Sequence, residues 1–144
     1  MPGGTYTLLV TLPNAARIEV GALGECAFPA GWYAYTGSAL GPGGFARVDR
    51  HHEVAAGDRD TRHWHVDSLL GDTGARIATV VRSPGVAAEC AVARAVESVG
   101  DVVVPGFGAT DCDCGAHLHH HPERGPLLAA VRDAHGEGGA GAQS

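Results

Sequence analysis

Between Thr5 and Gly37 the chain alternates strand-forming stretches with turns too short to hold a helix. That pattern commits the chain to open with a small antiparallel sheet. Residues 5–12 alternate and are rich in Thr, Tyr and Val, side chains that fit a pleated surface. Pro13-Asn14 makes a turn, residues 17–20 return as a short strand, and residues 21–28 form a looser stretch compatible with a strand edge. Pro29-Ala30-Gly31 then turns the chain into Trp32-Tyr33-Ala34-Tyr35-Thr36-Gly37, the most aromatic strand in the sequence. Three antiparallel strands are expected from this region.

Beyond Gly37, helical patterns dominate. Leu40-Gly41-Pro42-Gly43-Gly44 is a loop leading into a helix over residues 44–54. A polar connector over 55–61 separates it from a second short helix, which starts near Arg62 and includes Trp64, Val66, Leu69 and Leu70. Residues 75–81 read as a further strand. Ser83-Pro84 has the form of a helix start, a capping hydroxyl and then proline at the first helical position. A third helix is therefore expected over 84–99. After Asp101 come a Val-Pro-Gly stretch, a Cys/His-rich stretch and a last helix over 125–134. The Gly/Ala-rich tail over 136–144 is expected to be disordered. The expected class is α+β, with a central three-stranded antiparallel sheet flanked by helices. One domain over 1–135 suits a chain of 144 residues.

Composition narrows the function. Apolar residues make up 44%, enough for a packed core. The absence of any run of about 18 apolar residues predicts no membrane span. Met1-Pro2-Gly3-Gly4 lacks the basic and apolar regions of a signal peptide, so a cytoplasmic location is expected. The cysteines at 26, 90, 112 and 114 are irregularly spaced in a chain apolar enough to need no staples, and reduced thiols are expected. Ten basic residues, all arginine, face sixteen acids for a net charge of -6. A non-specific nucleic-acid coat needs basic residues in excess, so any phosphate-binding face must be local and built from arginine. Acid-rich, lysine-free chains suit a salty cytoplasm, where coulombic steering is screened to about 3 Å at about 1 M salt.

Several side chains are candidates for chemistry. On the first helix, Phe45, Val48 and His52 share one side while Arg47, Arg50 and His51 share the other, a cationic stripe beside the tyrosine strands. Phosphate would dock there through a bidentate contact to Arg47. On the third helix Val86, Val92, Ala93, Val96 and Val99 form an apolar stripe with Glu89 in its middle. A carboxylate in that position is destabilising unless it is paired or metal-bound, so Glu89 either coordinates Mg²⁺ or Mn²⁺ or bridges to an arginine such as Arg47. His63 and Asp67 share a helical face and would line a cleft or fix helix to sheet, with Trp64 in the core or against a base. Cys112, Cys114 and His117 would supply three of four tetrahedral zinc ligands, with Cys90 or His119 as the fourth. Cys-X-Cys is not the usual zinc-knuckle spacing, so thiols packed against the third helix are the default.

Gly4-Thr5-Tyr6 opens the first strand and Tyr35-Thr36-Gly37 closes the third, with Arg47 and Glu89 on later helices. This arrangement resembles the signature of the GIY-YIG nucleases, with threonine in place of isoleucine in both triplets. Tyr35-Thr36-Gly37-Ser38-Ala39, Arg50-His51, His63-Trp64-His65-Val66-Asp67 and Asp111-Cys112-Asp113-Cys114 look like the archaeal DUF123 subgroup, or Uri nuclease superfamily. Members of that subgroup also occur fused to endonuclease III-type glycosylases. The resemblance implies a DNA endonuclease using one Mg²⁺ or Mn²⁺ ion and no zinc. Tyr6 would take a proton from the attacking water, Tyr35 would orient water or phosphate, Arg47 would stabilise the phosphorane-like state and Glu89 would hold the metal. Gly37, Ser38, Arg50, His51, His63 and Trp64 would lie along the nucleic acid. RNA in place of DNA stays open, as does a base-excision repair enzyme as partner. From the residues alone, Tyr6 and Tyr35 read equally as half-buried sheet aromatics with satisfied hydroxyls. A phenol with a reference pKa of about 10 is a poor base without a cation beside it. Two other functions compete: a non-catalytic nucleic-acid module of a repair enzyme, and a zinc-binding structural protein.

Overall fold

The computed structural model describes residues 3–39, 44–58, 65–85, 87–107 and 116–136. In chain order the elements are β1 (Gly4–Leu12), β2 (Ala16–Glu19), a 3-10 turn (Gly21–Leu23), β3 (Glu25–Phe28), β4 (Gly31–Ser38), α1 (Ala46–Ala55), α2 (His65–Asp72), β5 (Arg76–Pro84), α3 (Glu89–Glu97), β6 (Leu118–His121) and α4 (Arg124–Ala134). Among the described residues no helix is long and apolar enough to cross a membrane.

β1 decides the architecture because it is buried along nearly its whole length. A strand buried on both faces needs a neighbour at each edge and a layer over each face. Its antiparallel neighbours are β4 and β5, and the four-stranded sheet runs β5-β1-β4-β6. On one face Tyr6, Leu8 and Val10 of β1 and Tyr33 and Tyr35 of β4 pack against Val48 and Val54 of α1 and Val66, Leu69 and Leu70 of α2. On the other, Leu9, Ala34 and Val81 pack against Val92 and Val96 of α3 and Leu127, Leu128 and Val131 of α4. Adjacent residues of β1 thus serve different layers, as the two-residue period of a strand requires.

The expected three-stranded sheet is corrected in its membership, while the α+β class stands. β2 pairs with β3 in a separate two-stranded hairpin. The main sheet instead recruits β5 and β6 from far along the chain, pairings that local patterns do not encode. β6, Leu118-His119-His120-His121, lacks the usual strand residues and is held by its partners: His120 pairs with Tyr33 and their rings lie 5.0 Å apart. The third helix is corrected too. Ser83 and Pro84 close β5, paired with Thr5 and Gly4, and Gly85 turns the chain at φ 72°. α3 therefore begins at Glu89, where the Ala88 N–H donates to Thr5 Oγ1 at 2.9 Å. Val99, expected in its apolar stripe, is 39% exposed, and Val86 lies outside the described residues. Cys90 is disulfide-bonded, which corrects the expectation of a reduced thiol there; Cys26 is free and buried. The expected tail over 136–144 lies, beyond Gly136, outside the described residues.

A polar network pins α4 to the sheet. His135 Nε2 lies 2.8 Å from Thr7 Oγ1 and Nδ1 lies 2.7 Å from Ser83 Oγ, while Thr7 Oγ1 also meets Thr36 Oγ1 at 3.1 Å. Burial pushes the His135 imidazole down to about 4. It also lowers His65 and His119. These rings stay neutral in the fold while unfolded histidines, near about 6.5, take up protons. Stability is therefore full above about pH 6.5 and is lost as pH falls toward about 4. Thermal unfolding between about pH 7 and about pH 5 is expected to show this decline, and His135→Gln is expected to flatten it. Superimposable pH profiles for the two proteins would contradict the assignment.

Candidate active site

β1 begins where its antiparallel neighbours β4 and β5 end, so Thr5 lies between Ser38 and Ser83. α1 and α3 both start beside that same end of the sheet. Residues far apart in the chain, from both helical layers, are thereby brought to one place. The backbone there is tightly joined: the Ala39 N–H donates to Gly4 O at 2.7 Å and the Gly85 N–H to Gly3 O at 2.6 Å.

Tyr6 extends across its neighbour strand at this end. Its register partner is Gly37, and a Cβ at that position would stand 2.6 Å from Tyr6 Oη and 2.7 Å from Tyr6 Cζ. Only a residue without a side chain leaves room for the phenol. The Tyr35 ring lies 6.3 Å from the Tyr6 ring, tilted by 54°. Both phenols are buried, Tyr6 at 1% and Tyr35 at 5% exposure.

The fate of the Tyr6 hydroxyl distinguishes it from an ordinary sheet aromatic. Tyr33, on the same face, donates its hydroxyl to a backbone carbonyl, Pro29 O. Tyr6 Oη instead meets His51 Nε2 at 2.8 Å, and His51 Nδ1 meets Asp67 Oδ1 at 3.2 Å. His51 and Asp67 are both buried. A carboxylate only accepts hydrogen bonds, so Nδ1 carries the imidazole proton and Nε2 accepts from the tyrosine hydroxyl. The chain Asp67–His51–Tyr6 joins α2, α1 and β1 in one hydrogen-bonded line. Burial raises the Tyr6 phenol well above its ordinary range; Tyr35, Glu89 and Asp67 raise it further, and the Arg47 charge opposes them. Tyr35 is raised by burial, with Glu89 and Asp67 adding to it and Arg47 again opposing. Both phenols therefore hold their protons at neutral pH, and the charges of Arg47 and Glu89 act on both.

Arg47 is half-buried, and its Nη1 donates to Ser38 O at the end of β4. That tether keeps the guanidinium at the mouth of the tyrosine strands. Glu89 is the first residue of α3, not the middle of an apolar stripe, and its side chain is 26% exposed. Its ion-pair neighbour is the buried His117, with Nδ1 3.1 Å from Glu89 Oε2, and not Arg47. The four side chains singled out from the sequence, Tyr6, Tyr35, Arg47 and Glu89, thus share one end of the sheet.

Other expectations shift. His51 does not share an outward cationic face with Arg47 and Arg50: α1 buries Val48, His51 and Val54 and leaves His52 exposed. The two ring nitrogens of His51 meet Tyr6 and Asp67, which sets His51 behind the phenol and not along a phosphate. Arg50 is half-buried, Gly37 is buried and Ser38 is half-buried. Asp67 takes its histidine partner from α1, which makes it a tie between helices. His63, Trp64, Cys112 and Cys114 lie outside the described residues. Cys90, one candidate for a fourth zinc ligand, is already in a disulfide, and His119 Nε2 approaches Glu97 Oε1 at 3.3 Å. Sequence reasoning missed Arg82, which is exposed, pairs with Tyr6 across β5 and lays its guanidinium over the Phe45 ring at 5.3 Å. The alternation of β5 was the signal that could have found it.

A family model described as "Domain of unknown function DUF123" matches residues 5–140. The chain belongs to the DUF123 family. No curated protein and no solved structure matches it significantly. In this DUF123 protein the match takes in every residue of the site, from Tyr6 to His117.

Gly37→Ala tests the packing of the site. The added methyl group must displace the Tyr6 phenol or part β1 from β4, with an expected destabilisation of about 1–3 kcal/mol in urea unfolding. A change within about 0.5 kcal/mol, the scale of a neutral surface substitution, would show that the phenol does not lie over Gly37.

Proposed function

We propose that this DUF123 protein is a metal-dependent endonuclease of the GIY-YIG type, hydrolysing phosphodiester bonds in DNA. The observation that carries the reading is the Tyr6 hydroxyl held at 2.8 Å on a buried His51–Asp67 pair, within the fields of Arg47 and Glu89. A tyrosine that only packs needs one acceptor for its hydroxyl, as Tyr33 has in Pro29 O, and no imidazole–carboxylate pair behind it.

The chemistry depends on the protonation state of the phenol. Buried as it is, Tyr6 cannot act as a free phenolate. It acts as a conduit: its oxygen accepts a proton from the attacking water as its own proton passes to His51 Nε2. Asp67 holds the ring in the receptive tautomer and stabilises the imidazolium that forms, the logic of a nucleophile–histidine–carboxylate triad. Arg47, tethered to Ser38 O, brings its guanidinium charge to the phosphate and stabilises charge on the pentacovalent state. Tyr35 orients the water or a phosphate oxygen. Arg82 adds a second cation on the same side, so the phosphate face is local and arginine-built within a chain of net charge -6.

Glu89 offers an accessible carboxylate beside the phenols, a hard oxygen donor that suits Mg²⁺ or Mn²⁺. Such an ion, when bound, polarises the phosphate and stabilises the leaving 3′-oxygen. A cytoplasmic role in DNA repair or processing, alongside a base-excision repair enzyme, belongs to the same proposal. The burial of both phenols favours one other reading, a nucleic-acid-binding accessory module without catalysis.

Supercoiled plasmid incubated with Mg²⁺ or Mn²⁺ is expected to be nicked. Tyr6→Phe, Arg47→Ala and Glu89→Gln are each expected to slow nicking on the order of 100-fold or more, and Asp67→Asn by a smaller factor. Activity equal to wild type in those variants would sink the catalytic assignment. DNA binding with no cleavage under any metal would favour the accessory module.

A further inference from the structure

His117 is an anomaly that hydrolysis through Tyr6 does not use. Its side chain is 1% exposed, yet among the described residues neither ring nitrogen has a hydrogen-bond partner. Nδ1 comes within 3.1 Å of Glu89 Oε2 but not in the alignment of a hydrogen bond. A buried imidazole with two unsatisfied nitrogens is destabilising, and groups of this kind call for a ligand, water or ion. The ring is not misplaced by a loose backbone. The His117 N–H donates to Phe107 O at 2.7 Å, and its carbonyl accepts the Thr36 N–H at 2.9 Å. This extends the β4–β6 pairing by one residue and clamps the histidine beside the start of α3.

We propose that His117 Nδ1 and Glu89 Oε2 are two cis ligands of one divalent metal centre, which the imidazole biases toward Mn²⁺ and other transition metals over Mg²⁺. The inference rests on the reading of Glu89 as a metal ligand and adds a nitrogen donor to it. The geometry fits. An ion about 2.1 Å from each atom, with those atoms 3.1 Å apart, would be held at an angle of about 95°, near the octahedral right angle. Among the described residues no group of three or more His, Cys, Asp and Glu converges, so water and a phosphate oxygen would complete the shell. Carboxylate and water alone suit Mg²⁺, whereas an imidazole nitrogen shifts affinity along the divalent series toward the transition metals.

The test reads the metal directly in the intact 144-residue chain, with Mn²⁺ as the probe and no DNA present. Pulsed EPR of the Mn²⁺ complex is expected to show modulation from a directly bound nitrogen-14. His117→Leu is expected to abolish that modulation and weaken Mn²⁺ binding on the order of tenfold or more. It is also expected to leave the thermal midpoint of the metal-free protein unchanged or raised, because it removes two unsatisfied buried atoms. Mn²⁺ bound in the wild type without nitrogen modulation, or modulation that persists in His117→Leu, would overturn the inference and leave Glu89 as the sole protein ligand. No measurable Mn²⁺ binding, with Glu89→Gln indistinguishable from wild type, would overturn the metal-dependent function as well. Should His117→Leu not fold, competition in the wild type decides. A tenfold molar excess of Mg²⁺ that leaves the Mn²⁺ signal in place supports the nitrogen ligand, and equal displacement contradicts it.

Discussion

The hydrogen-bonded line from Asp67 through His51 to Tyr6 is the interaction on which the rest of this end of the molecule depends. It runs through the buried interior, where each polar group must be answered by another. His51 cannot turn away without breaking its contacts to the Asp67 carboxylate and the Tyr6 hydroxyl together. The line therefore fixes α1 against α2 and both against β1, and it orders the tyrosine by the same contacts. Stability and candidate chemistry share these atoms. Substitutions here will affect both, and only a split between binding and turnover separates the effects.

Convergence is a product of sheet topology. Because β1 is antiparallel to both neighbours, its first residues meet the last residues of β4 and β5, and the helices after those strands begin where β1 begins. The layer of α1 and α2 supplies Arg47, His51 and Asp67. The opposite layer supplies Glu89, seated by the Thr5 side chain through the Ala88 N–H. Thr5 and Tyr6 are adjacent and point to opposite faces, so one dipeptide aligns the two layers. Gly37 completes the arrangement by leaving space for the phenol.

Much of this is legible in the sequence, for physical reasons that differ by element. β1 and β4 carry alternating β-branched and aromatic residues, and α1 and α4 lie within a residue or two of their patterns. Triplets and helix positions single out Tyr6, Tyr35, Arg47 and Glu89, and these do lie at one end of the sheet. The sheet order is not legible, because β5 and β6 pair over long separations and β6 is three histidines after a leucine. Reading a polar residue as outward puts His51 on the wrong face of α1. Its spacing, three after Val48 and three before Val54, is the sign that it lies on the buried arc. Ser83-Pro84 is a sound helix start in isolation, overridden here by pairing with Thr5 and Gly4. Tertiary partners decide each miss.

The central claim is that this end of the sheet receives one phosphate between a guanidinium, a phenol and a carboxylate-bound ion. Diffraction at the manganese edge, from crystals soaked with Mn²⁺ and an uncleavable phosphorothioate oligonucleotide, tests it most directly. The expected result is an anomalous peak on the Glu89 carboxylate, with a phosphate between it and Arg47 and a water within reach of Tyr6 Oη. A phosphate bound on another face, or an ion far from Glu89, would contradict the account.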